Sequence, residues 1–101
     1  MVDKHEHIRA AQVAAVSLTE LETILLKQLC YDDYIQDSGW QSPDAVSWVK
    51  DMGRCIAHVE LHQIPGVVAS LSNKGLLWTD GATWGFTDLG RAVIKERRLY
   101  A

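Results

Sequence analysis

A chain of 101 residues with 48% hydrophobic content and a net charge of −3 has room for one small core and reads as a single globular domain over 1–101. No run approaches the roughly 20 apolar residues of a membrane span, and the stretch Ala10 to Leu18 is broken by Gln12 and Ser17 and lacks a leader's three-part form. The expectation is a soluble cytoplasmic protein with no membrane partner, whose acidic balance argues against indiscriminate binding to polyanions.

Residues 3–16 read as an Ala-rich N-terminal helical extension with Ile8, Ala11, Ala15 and Val16 on its apolar side. Good helix formers without a strong stripe need a partner to stay folded. A second copy of the chain is one such partner, which gives the expectation of a homodimer; a frayed terminus is the alternative. The core, 17–98, opens with Ser17 and Glu20 as a capping box and Val16 and Leu21 as the staple pair. Leu21, Ile24, Leu25 and Leu29 then repeat at helical spacing, Tyr31, Tyr34 and Ile35 extend the element, and Asp37-Ser38-Gly39 ends it.

Residues 40–53 carry two readings. Ser42-Pro43-Asp44 resembles a helix start, whereas Ala45 to Lys50, rich in Val and Trp, resembles a short strand. The strand is preferred. A helix over 43–52 would leave a turn of about ten residues before Ile64, against the three or four of a helix-turn-helix. Arg54 to Leu61 then supplies the first helix of that motif.

A second helix spans 64–74, with Pro65 tolerated in its first turn. Ile64, Val67, Val68 and Leu71 fall at i, i+3, i+4 and i+7 and face the core, and Gly75 occupies the position that stops the helix. Leu76 to Asp80 and Thr83 to Thr87 alternate as strands around Asp80-Gly81. A two-residue loop pairs Leu77 with Trp84, and a three-residue loop pairs Trp78 with Trp84; both stay open. Thr87-Asp88 caps a last helix from Leu89 to about Arg98, with Val93 and Ile94 turned inward.

Leu71, Lys74, Gly75, Leu76 and Leu77, followed by Phe86, Thr87 and Gly90, resemble the recognition-helix end and wing closure of winged helix-turn-helix domains, the MarR-like regulators of bacteria and phages in particular. The resemblance covers roughly a third of the chain. It implies an α+β winged helix fold, a three-helix core with a β-hairpin wing flanked by N- and C-terminal helices. It also implies transcription regulation through duplex DNA. The wing departs from the pattern, because Trp78, Thr79, Asp80, Ala82, Thr83 and Trp84 stand where Arg or Lys would meet the groove or backbone.

On such a fold the outward side of 64–74 presents His62, Gln63, Gly66, Ala69, Ser70 and Asn73. Gln63, Ser70 and Asn73 are the candidates to read base edges, for which amides suit adenine. Arg54, Lys74 and Arg91, with Lys50 beside them, are the candidates to hold phosphates. A solvated polar helix face accounts for the same residues equally well. The charge distribution leans weakly toward the DNA reading: 1–59 holds nine acids against five Lys/Arg, and 60–101 holds four against five.

Other features carry less. His58 and His62 have the i, i+4 spacing of helical metal ligands without a third ligand nearby, and His5 and His7 lie near the terminus, so no metal is expected. Cys30 and Cys55 read as small buried side chains, and Trp78 and Trp84 as cross-strand packing. Asp32, Asp33 and Asp37 fit a solvated helix end, and the basic run Lys95 to Tyr100 fits phosphate contact, subunit contact or solvation alike. No phosphate loop, nucleophile elbow or paired acidic site is present, so neither catalysis nor a cofactor is expected. Two functions emerge: a sequence-specific DNA-binding regulator, or a winged helix that binds a protein, such as a small phage-encoded inhibitor or adaptor.

Overall fold

The computed structural model describes residues 9–54 and 58–100, the side chains of Asp33, Tyr34, Gln36 and Arg54 excepted. The architecture is mixed α+β: helices surround a core closed on one side by a small antiparallel sheet. Among the described residues no helix is long and apolar enough to cross a membrane.

Helix α1 spans Ala10–Ala15, shorter than the 3–16 helix expected, whose first part lies outside the described residues with His5 and His7. It is held from a distance. The Arg97 guanidinium donates to the carbonyls of Val13 at 3.1 Å and Val16 at 2.5 Å, where the helix runs out of internal partners.

Helix α2 spans Glu20–Leu29, and its cap differs from the expected one. Thr19, not Ser17, takes the N-cap: its hydroxyl accepts from the Glu22 N–H at 3.1 Å, and the Thr19 N–H donates to Glu22 Oε1 at 2.8 Å. The sequence contains both S-x-x-E and T-x-x-E, and the register that buries Glu22 beside Lys74 prevails. The helix also stops early. Asp32 Oδ1 accepts from the Ile35 N–H at 3.4 Å, restarting the chain as a separate helix α3, Asp33–Ser38. Tyr31 therefore leaves the helix and donates through its hydroxyl to the Tyr100 carbonyl at 3.1 Å, while Trp40 stacks on Tyr100 with centroids 5.1 Å apart.

Residues 43–52 contain some of both expected forms. Strand β1 is only Ser47–Trp48, and Val49–Arg54 turns into a 3-10 helix. The Val49 N–H goes to the Ala82 carbonyl at 2.8 Å, tying this corner to the later hairpin. The α-helix expected over Arg54 to Leu61 is not found where the chain is described; residues 55–57, Cys55 among them, lie outside. His58 and Val59 form a bend, Glu60 is extended, and Leu61–Gln63 form a single 3-10 turn. Glu60 starts that turn by donating its N–H to Gln63 Oε1 at 3.2 Å. His58 and His62 consequently do not share a helix face.

Helix α4 spans Ile64–Asn73 with Pro65 in its first turn, and Ile64, Val67, Val68 and Leu71 are buried as their spacing requires. Gly75 follows at φ +79°, a left-handed geometry that costs glycine little. Strands β2, Leu77–Thr79, and β3, Thr83–Phe86, come next. Their register matches neither loop considered from sequence: Thr79 faces Trp84, Trp78 faces Gly85 and Leu77 faces Phe86. The turn is centred later than in either, by one residue relative to the two-residue loop and by half a residue relative to the three-residue loop. Asp80 stands at its start, where its Oδ1 accepts from the N–H groups of Ala82 at 2.9 Å and Thr83 at 2.7 Å. These bonds hold the exposed Asp80 carboxyl below its ordinary value.

β1 pairs with the far edge of β3, Ser47 facing Trp84, so the sheet order is β1-β3-β2. Alternation then sorts the residues. Leu77, Trp84, Phe86 and Ser47 face inward and are buried, whereas Trp48 and Trp78 lie on the outer face. The Trp84 and Phe86 rings meet edge to face at 5.2 Å. Helix α5, Asp88–Glu96, closes the unit with Thr87 as N-cap and Val93 and Ile94 buried. Together with Leu25, Leu26 and Leu29 of α2 these residues form one core under α4 and the sheet.

Candidate recognition surface

Helix α4 is anchored by its buried stripe, so its remaining sides are what the fold presents. His62, Pro65, Gly66, Ala69 and Asn73 are exposed. The small residues at 66 and 69 leave the helix backbone approachable, and Asn73 offers an amide near the C-terminal end. Gln63 is half-buried, with its carbonyl oxygen occupied by the Glu60 N–H.

Ser70 is also half-buried, and its hydroxyl donates to Glu22 Oε2 at 2.5 Å. Lys74 lies one turn further along. Its ammonium donates to Glu22 Oε1 and to the Ser17 carbonyl, each at 2.6 Å. Glu22 thus binds two of the expected recognition residues while its own side chain is only 2% exposed. Burial pushes its carboxyl up, but the bonds from Lys74, Ser70 and the Thr19 backbone outweigh that and bring it down to about 2. The carboxylate is therefore ionised and cancels the Lys74 charge.

Arg91 is committed in the same way. One guanidinium nitrogen donates to the Phe86 carbonyl at 2.8 Å and the other to the Asp88 carboxylate. Only 14% of its side chain is exposed. Of the three expected phosphate ligands, two are ion-paired within the chain, and the side chain of Arg54 lies outside the described residues. Lys50 is exposed, its Nζ 5.7 Å from the Trp48 ring centroid.

Between α4 and the hairpin runs a groove of about 440 Å³. Val49, Met52, Leu61, Ile64, Val68 and Ala69 form its apolar walls, and Lys50 is the charged residue among the described lining. Leu61 is 72% exposed at its rim. Neither Leu61 nor Glu22 is among the site residues expected from the sequence. The T-x-x-E cap at 19–22 is a usable signal for Glu22, but nothing local distinguishes Leu61 from a core leucine. Among the described residues no cluster of His, Cys, Asp and Glu is arranged to hold a metal.

Comparison of the chain with models of known protein families, with curated proteins and with solved structures gave no match.

Proposed function

We propose that this chain is a winged helix domain that binds duplex DNA, with α4 in the major groove and the 77–86 hairpin resting on the backbone. The observation that carries the reading is the position of α4. It is fixed by a buried stripe on one side and presents small residues and an amide on the other, directly before a hairpin. That surface suits close approach of a helix to base edges, with Asn73 as the leading base reader. Few phosphates are engaged, because Lys74 and Arg91 are neutralised in place. Binding is consequently modest and only weakly salt-dependent compared with a basic domain. A regulator's role, a homodimeric state and a MarR-like relationship belong to the same proposal.

A titration against labelled duplexes with a randomised core, at low and moderate salt, tests it. Enrichment of particular sequences by the wild type, shifted by Asn73→Ala, supports the reading. No retention of any duplex at low salt removes it.

A protein partner is the second reading, favoured by the apolar groove, the exposed rim residue Leu61, and the outer-face residues Trp48 and Trp78. Apolar surface with one cation among its described residues fits a side chain of a partner protein better than it fits phosphate. Here Leu61→Asp abolishes partner binding and leaves any duplex binding intact, which separates the two functions.

A further inference from the structure

Beneath the α4 surface, one buried acid holds two of the side chains that a groove-binding helix would use. Resting on the DNA-binding reading, we infer that Glu22 is an affinity-determining residue, a built-in competitor that occupies Lys74 and Ser70 in place of DNA. The geometry is specific. Each Glu22 carboxylate oxygen takes one of the two side chains, Ser70 at 2.5 Å and Lys74 at 2.6 Å, and the Ser17 carbonyl takes a second Lys74 proton at 2.6 Å.

The competition is unequal. Lys74 is a third exposed, so a phosphate can reach it, whereas Glu22 is 2% exposed. Drawing Lys74 away leaves an uncompensated buried carboxylate, and such a charge is strongly unfavourable. The ammonium therefore stays with Glu22 and brings no net charge to the α4 surface. With no net charge it displaces no counterion from DNA, so Lys74 adds nothing to the salt dependence of binding. Ser70 is likewise turned inward, which leaves Asn73 as the exposed polar side chain at this end of α4.

Glu22→Gln is the informative variant because it removes the charge and little else. The single amide oxygen of a glutamine at this position takes the Thr19 N–H in place of Oε1, so the α2 cap persists. The amide NH2, in place of Oε2, donates to the Ser70 hydroxyl, which turns to accept. Lys74 keeps the Ser17 carbonyl but loses its anion, so its charge is no longer cancelled and a phosphate can meet it.

The experiment measures duplex affinity of the whole chain between roughly 50 and 200 mM salt for wild type, E22Q and the double variant E22Q/K74M, with thermal melts alongside. In E22Q the slope of log affinity against log salt steepens by about 0.9, so its advantage over wild type shrinks about 3.5-fold from the lower salt limit to the higher. In E22Q/K74M, where both partners of the ion pair are gone, the slope returns to that of wild type. Two outcomes overturn the inference while DNA binding itself stands: duplex binding by wild type with an unchanged slope in E22Q, or a steeper slope that persists in the double variant. Failure of all three proteins to bind at the lowest salt overturns the DNA reading and the inference together.

Discussion

The Thr87 hydroxyl donates to the Gly75 carbonyl at 2.5 Å and accepts from the Gly90 N–H at 2.9 Å. One side chain therefore joins the stop of α4 to the start of α5 across the whole hairpin, and the Thr87 N–H adds a bond to the Leu76 carbonyl at 3.2 Å. The angle between α4 and the hairpin, on which any groove-reading function depends, is fixed at this point. Thr87→Val keeps the shape and loses both hydroxyl bonds, costing about 2 kcal/mol through the missing cap and an unsatisfied carbonyl. Thr87→Ser keeps both and stays within about 0.5 kcal/mol. Urea midpoints of the two variants check this, and equal losses would show that the hydroxyl is not the tie.

Gly90 sits where α5 passes the α4–β2 junction. A Cβ there would collide with the Leu76 carbonyl oxygen, which is backbone and not a side chain that can swing aside. Gly90→Ala, a gain in helix propensity on an open surface, is accordingly destabilising here by about 3 kcal/mol. The Tm of the variant reads the sign directly, and a rise would mean that α5 can back away from the hairpin.

These two positions also show what sequence can and cannot reveal. Elements whose local signals agree with their burial were legible: the Ile64/Val67/Val68/Leu71 stripe, the Gly75 stop, the Thr87 cap and the hairpin that they bracket. Competing signals of equal quality were decided by contacts distant in sequence. Ser17 and Thr19 are both good caps, and the buried Glu22–Lys74 pair selects the second. The 43–63 stretch is short of uninterrupted periodicity, and the form of its described residues follows from the Val49–Ala82 bond and the seat of Leu61 over Gly53. At the candidate site, residue type marked Asn73 as exposed, as it is, but formal charge did not reveal that Lys74 and Arg91 are ion-paired within the chain. For Lys74 the neutralising acid stands 52 residues away, a placement that no linear spacing reveals.

Cys30 offers a check on the α2–α3 corner. Its side chain is buried at 3% exposure, and burial pushes the thiol up to about 12. The reactive thiolate is thus scarce at neutral pH. Native protein treated with iodoacetamide leaves Cys30 unmodified over a period in which urea-unfolded protein is fully labelled there, as read by peptide mass spectrometry. Labelling at the unfolded rate under native conditions would show that the corner opens on that timescale.

The acid limb of stability reports on Glu22. Its carboxyl falls from an ordinary 4.5 to about 2 in the folded chain. A group whose folded value lies below its unfolded one stabilises the fold when ionised in both states, and that contribution disappears as pH drops from the upper value through the lower. The stabilisation is therefore complete above about pH 5 and largely gone by about pH 2, with a full size on the order of 3 kcal/mol. Other carboxylates titrate in the same window, so the quantity to follow is the difference in unfolding free energy between wild type and Glu22→Gln. That gap narrows by about 3 kcal/mol on acidification because the variant has nothing to protonate at this site. A gap that stays constant from neutral pH to about pH 2 would mean that the carboxylate is not held by Lys74 and Ser70 in solution.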